Sequence, residues 1–279
     1  MARTNALLPP AENPPGRSIR QTAGDGATLI AEVRGNVYFD GTPLESEFTL
    51  DLGAYCAHQR AQLAIWERQY TRLDVDPAVA LSGQDLRPVP DSRLSLTEAF
   101  LRHERLVVVG GAGAGKTTSM LYLVASALPG GALADYLEEA VPVYLELGRF
   151  RAESSASPLD SLLLLVADTL YRGQAFPEPL SLRRVRELLT SHRFLFLLDG
   201  LNEAQAGLHS SCLAAINDLA KLYSKHRIVV SSRPHGFSPP QDWNVVLLRE
   251  LDEAQIPVFI ERHLNDAPSQ SLLATRQAS

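Results

Sequence analysis

The stretch VVVGGAGAGKTTSMLYLV, from Val107 to Val124, permits few folds. An apolar run ends in three valines, four glycines and two alanines follow, and Lys116, Thr117 and Thr118 open a segment with helical spacing. Gly110-x-x-x-x-Gly115-Lys116-Thr117 has the spacing of a loop that wraps a phosphate. Glycines let backbone N–H groups turn inward around an anion, and a helix that follows directs its positive end at the same point. Over Gly110, Gly111, Ala112, Gly113, Ala114 and Gly115 the expected ligand contacts are therefore main-chain ones. Lys116 reaches the outer phosphates as a point charge, Thr117 offers its hydroxyl to Mg2+, and Thr118 adds a contact to an inner phosphate. The plainer alternative is a glycine-rich strand-to-helix turn with an incidental lysine.

Such a loop needs a buried strand before it and a helix after it, and the surrounding pattern supplies both. Short apolar runs at Leu106–Val109, Val141–Leu147, Phe194–Leu198, Arg227–Ser231 and Val245–Leu248 alternate with longer helical stretches. Continuous rather than alternating hydrophobicity marks strands buried on both faces, and strands alternating with helices imply βαβ units and a parallel sheet. The expected fold is α/β: a five-stranded parallel sheet flanked by helices. LDSLLLLVADTL reads as a core helix rather than a partner surface.

A phosphate cradle also needs groups to hold a metal and orient water. In RFLFLLDGLNE, Asp199 ends a buried strand, at the sheet edge where ligands of open α/β sheets collect. Its carboxylate can accept Mg2+-bound water, making Thr117 and Asp199 the candidate metal residues. Glu203, past the Gly200 turn, can polarise an attacking water. Asn202 between them either holds a water or shapes the turn. RIVVSSRP ends another buried strand in Arg233, which Pro234 keeps extended so that the guanidinium can read a γ-phosphate. The catalytic set is thus Lys116, Asp199, Glu203 and Arg233. The bland alternatives are a helix cap for Asp199, a solvated loop carboxylate for Glu203 and a surface ion pair for Arg233.

The N-terminal part is less constrained. Residues 1–17 are proline-rich and polar and read as a disordered tail. Residues 18–93 read as a hairpin turning at Arg34-Gly35-Asn36, a helix with Leu63, Trp66 and Tyr70 on one stripe, and a connector, DVDPAVALSGQDLRPVPDSR. Ser95-x-x-Glu98 is a capping box opening the next helix. Residues 94–250 form the α/β core, and 251–279 begin a helical segment and a polar tail.

A formal charge of −6 gives no electrostatic footprint for nucleic acid. Cys56 and Cys212 stand alone, so neither a zinc site nor a disulfide framework is expected. Seven scattered histidines form no i, i+4 metal pair on one expected helix, although His235 lies near enough to Arg233 to approach a ligand. No apolar run approaches the roughly 20 residues of a membrane span. The expected location is cytoplasmic.

VVVGGAGAGKTT, FLFLLDGLNE and IVVSSRP together resemble the NACHT branch of the STAND P-loop NTPases. AVPVYLELGRF is similar to that family's second strand, LSLTEAFLRHER to its entry helix, and LRELDEAQIPVFIERHL to the start of its helical subdomain. The resemblance covers about residues 94–264. It implies slow, Mg2+-dependent hydrolysis of ATP or GTP, and a signalling switch that self-associates or engages a partner protein in its triphosphate state. Bacterial defence is one setting for such switches. The chain departs from the family in carrying Asn202 where a second acid is usual. It also ends soon after Leu264, before the family's winged helix, so it is expected to be either a fragment or a chain whose missing parts a partner supplies. Two rival readings use the same loop: a nucleotide-binding interaction module without significant hydrolysis, and a small-molecule kinase.

Overall fold

The computed structural model describes residues 20–23, 27–30, 38–39, 42–43, 52–70, 73–80, 86–89, 92–137, 140–152, 156–234, 242–251, 253 and 255–257. The chain divides into two compact units, Met1–Thr49 and Leu50–Ser279. The tail expected over 1–17 and most of the segment expected over 251–279 lie outside the described residues.

In the first unit, β1 (Arg20–Ala23) pairs antiparallel with β2 (Ala27–Ile30), and β3 (Tyr38–Phe39) with β4 (Thr42–Pro43). The hairpin expected to turn at Arg34-Gly35-Asn36 falls on positions outside the described residues. The sequence between β3 and β4 is Asp40-Gly41, a dipeptide that suits a two-residue hairpin.

The second unit opens with α1 (Leu52–Gln69), then β5 (Asp74–Ala80), β6 (Leu86–Pro88), β7 (Leu94–Ser95) and α2 (Leu96–Arg102). It continues with β8 (Arg105–Val109), α3 (Lys116–Ala127), β9 (Val141–Glu146), α4 (Pro158–Arg172), α5 (Leu182–Ser191), β10 (Phe194–Asp199), α6 (His209–Leu222), β11 (Arg227–Ser232) and β12 (Asn244–Leu248). One sheet runs β6-β5-β12-β8-β11-β10-β9, with β7 also paired to β5. The five strands from β12 to β9 are parallel, as the buried runs require, and the glycine-loop strand β8 lies between β11 and β12.

These strands are buried on both faces, which explains their unbroken hydrophobicity. Leu106 and Val108 join one apolar cluster with Leu96, Phe100, Met120, Leu123 and Leu197. Val107 and Val109 join the other with Leu162, Val166, Leu188, Phe196 and Ile216. Helices α2 and α3 therefore cover one face and α4, α5 and α6 the other. The leucine-rich segment is a core helix as expected, with Leu159, Leu162, Leu163, Val166 and Leu170 of α4 buried. Ser95 opens α2 with the expected capping box: Glu98 N donates to Ser95 Oγ (3.2 Å), and Ser95 N donates to Glu98 Oε2 (2.8 Å).

The connector expected before Ser95 is a correction to the sequence reading. It supplies β5, β6 and β7, which extend the parallel sheet with antiparallel strands, Val245 lying opposite Ala78 and Leu248 opposite Val75. Pro77 and Pro88 read as turn formers, yet Pro77 lies where β6 runs out. Its carbonyl still accepts from Val89 N (2.7 Å), so the missing N–H costs about one rung. On the stripe of α1, Leu63 is buried; Tyr70, just beyond the helix, is buried and stacks on Tyr122 of α3 with ring centroids 3.7 Å apart. The side chain of Trp66 lies outside what is described. Tyr55 donates to Pro142 O (2.7 Å), and Arg60 donates to Leu128 O (3.5 Å) and Pro129 O at the end of α3.

Candidate functional site

The site grows from the C-terminal end of β8. Gly110 N donates to Ser232 O (3.2 Å), tying the loop to the next strand as it leaves the sheet. Gly113 and Gly115 adopt φ of 75° and 89°, in the left-handed region that L side chains avoid. Gly115 is the N-cap of α3, with no side-chain cap and no acidic residue in the first turn. The helix start therefore offers its N–H groups and positive dipole end to an external anion.

Lys116, the first residue of α3, arches back so that Nζ donates to Gly110 O (2.9 Å) and Gly111 O (2.7 Å). Its pKa is lowered, first by burial and then by the Arg233 charge, while Asp199 and Glu203 act in the opposite sense. Thr117 Oγ1 donates to Asp199 Oδ2 at 2.7 Å. Thr118 is half-buried at the next position.

Asp199, 9% exposed, ends β10 beside Ser231, because the parallel register pairs Leu198 with Val230. Ser231 Oγ donates to Asp199 Oδ1 and itself accepts from Gly200 N (2.8 Å). Tyr144 of β9 donates to Asp199 Oδ2 (3.0 Å). Burial, followed by the Asp199 charge, raises the Tyr144 pKa, so the phenol stays a donor. Three adjacent strands thus converge on one carboxylate on the α3 face. Neither Tyr144 nor Ser231 was singled out from sequence, although each interrupts an apolar strand with a hydroxyl, and that was the available signal.

Glu203 lies in a single 3-10 turn, Leu201–Glu203, entered through Gly200 at φ 76°. Its backbone N donates to Gly200 O (2.8 Å), and its exposed side chain folds over that glycine, where an added Cβ would lie 3.0 Å from the carboxyl group. Arg233 follows β11 and is exposed, its backbone N donating to Asn202 Oδ1 (3.1 Å). Asn202 therefore ties the Glu203 turn to the Arg233 strand end, which favours the turn-shaping reading. Glu203 and Arg233 make no described side-chain hydrogen bond to Lys116, Thr117 or Asp199; they bear on Lys116 through charge. His235 lies outside the described residues.

The donor set suits a small hard cation. A hydroxyl that gives its proton to Asp199 keeps its lone pairs free, and Mg2+ is commonly held by one or two protein oxygens with phosphates and waters completing its shell. No group of three or more His, Cys, Asp or Glu forms a metal cluster among the described residues.

A glycine loop capping a helix, beside a central parallel strand and a carboxylate at the adjoining strand end, defines a P-loop nucleoside triphosphatase domain. A family model described as the NACHT domain matches residues 104–267, more than half of the chain, and the chain belongs to that family. Forty chains of solved structure also match. One of them, from the structure of Drosophila ORC bound to GC-rich DNA and Cdc6, shares 11% identity at a TM-score of 0.37. That alignment covers 82% of this chain and 37% of that one, and so weak a likeness carries no functional argument. No curated protein matches. Among the described residues no helix is long and apolar enough to cross a membrane.

Proposed function

We propose that the chain is an ATP-binding, Mg2+-dependent NTPase that works as a signalling switch of NACHT type. The observation that carries this reading is the hydrogen bond from Thr117 to Asp199, which joins the phosphate-loop helix to a strand-end carboxylate. In this reading Lys116 releases the carbonyls of Gly110 and Gly111 and takes up the outer phosphates of the nucleotide. The N–H groups from Gly111 to Thr118 hold the inner ones. Thr117 and Asp199 hold the cation, which when bound would offset charge on the phosphate oxygens. Glu203 orients the attacking water, and Arg233 reads the γ-phosphate from the end of β11.

The charge around Lys116 supports this division of labour. A cation beside another cation, Arg233, is a poor arrangement until a polyanion arrives between them. Turnover is expected to be slow until a second subunit or a partner completes the site, because phosphoryl transfer is accelerated mainly by positioned charge.

The test is to identify the nucleotide that co-purifies with the chain, then compare nucleotide affinity of the native chain and Lys116→Ala. A fall of roughly tenfold to a hundredfold in the variant supports the assignment; retained affinity removes it. A change in particle size between ADP and a non-hydrolysable ATP analogue, read by light scattering, tests the switch.

A further inference from the structure

We propose that Gly148 is a positioning residue for Glu203: the bare backbone of the turn after β9 is the surface against which the Glu203 turn is seated. This deepens the reading of Glu203 as the group that orients the attacking water, and it rests on that reading.

Strands β9 and β10 run out at the same level, because the parallel register pairs Glu146 with Asp199. Each strand then makes a single 3-10 turn, Leu147–Arg149 after β9 and Leu201–Glu203 after β10. Leu147 and Leu201, the first residues of the two turns, are both fully buried in the same apolar cluster. The turns lie side by side and touch at Gly148. A Cβ built on Gly148 would lie 3.6 Å from Glu203 O and 3.7 Å from Glu203 Cβ. Gly148 does not adopt a positive φ, so the turn needs no glycine for its backbone. What the position supplies is space. A methyl group just fits at these distances. A β-branched side chain puts two further carbons beyond it, and the Glu203 turn must move to admit them.

Both turns are tied to other elements, so the contact between them is a fixed one. Arg149 donates to Asp168 of α4, a carboxylate that also receives Arg172 Nε on both oxygens (2.8 and 2.9 Å). Arg151 Nη1 donates to Gly148 O (2.9 Å). The Glu203 turn is held in its own way, with Asn202 Oδ1 accepting from Arg233 N (3.1 Å) after β11. It is thus wedged between the ends of the two strands that flank β10. A shift of about 1 Å in a water-orienting group costs on the order of a hundredfold in rate.

The experiment compares single-turnover phosphate release, and affinity for a non-hydrolysable ATP analogue with Mg2+, in the full native chain, Gly148→Val, Glu203→Gln and the double variant. Gly148→Val should bind the analogue within about twofold of native and release phosphate about a hundredfold more slowly. The double variant should be no slower than Glu203→Gln, since the valine acts only through a carboxylate that is already gone. Native-like release from Gly148→Val overturns the proposal. So does an equal loss of affinity and rate, the mark of a merely structural role, or a further loss in the double variant. If Gly148→Val does not fold, Asp168→Asn carries the test from a partly exposed position. Freeing Arg149 there should slow release about three- to tenfold with affinity kept, and an unchanged rate overturns the proposal. No phosphate from the native chain, or native-like release from Glu203→Gln, would instead remove the reading of Glu203 itself, and the proposal with it.

Discussion

Thr117 Oγ1 lies 2.7 Å from Asp199 Oδ2, joining the first turn of α3 to the end of β10 across 82 positions of sequence. The proton of the hydroxyl is committed to the carboxylate, so its lone pairs remain free to accept or ligate. Asp199→Asn keeps the shape and removes the charge. Mg2+-dependent phosphate release should fall at least about a hundredfold, while nucleotide binding in EDTA persists. Phosphate assays and Mg2+-free titrations check both halves.

Glu203 separates the enzyme from the interaction module. In Glu203→Gln the Gly200 turn and its backbone hydrogen bond remain, so binding should be preserved. Phosphate release should drop by about 10²- to 10⁴-fold, as expected when a group that handles a water proton is lost. A background rate left untouched by the substitution favours the module.

Gly115 is held at φ 89°, and a Cβ there would lie 3.0 Å from Leu73 Cδ1. Gly115→Ala should therefore lower unfolding free energy by about 1–2 kcal/mol and weaken nucleotide binding. Adding Leu73→Ala relieves the contact but not the backbone strain, so the double variant should not recover. Urea denaturation of the three proteins measures this.

His226 gives a pH signature away from the site. Its ring is buried between Phe194, Phe196 and Tyr223, and Nδ1 accepts from Phe194 N (3.3 Å). Burial, helped by the charges of Lys225 and Arg193, lowers its pKa from 6.5 to about 4. Between these values the unfolded chain binds a proton that the native chain refuses. This contribution to stability is complete above pH 6.5 and is lost as pH falls toward 4. His226→Gln should flatten that part of the curve of stability against pH, measured by denaturation midpoints from pH 4 to 7.

Much of the core was legible because its signals are local. Each of β8 to β12 is a short apolar run bounded by polar residues, and the capping box at Ser95 needs only four residues to be read. The glycine loop announces itself for the same reason: left-handed backbone at Gly113 and Gly115 and a lysine at the helix start are properties of adjacent positions. Asp199 was found because a carboxylate ending a buried strand is unusual in one dimension as well as in three. The strands from Asp74 to Ser95 were not legible, since Pro77 and Pro88 look like punctuation unless one knows that β12 waits alongside.

The sequence alone determined the alternation of buried strands and helices, the phosphate loop, and the identity of the acidic and basic residues at the strand ends. The tertiary structure alone decided which strands are neighbours, and hence that Tyr144, Asp199 and Ser231 meet on one face with Thr117 opposite. Local conformation depends on side chains a few positions apart, whereas the order of the five parallel strands is set by pairing between positions 32 apart (Leu195 with Arg227) to 138 apart (Leu106 with Asn244), which no window of sequence contains.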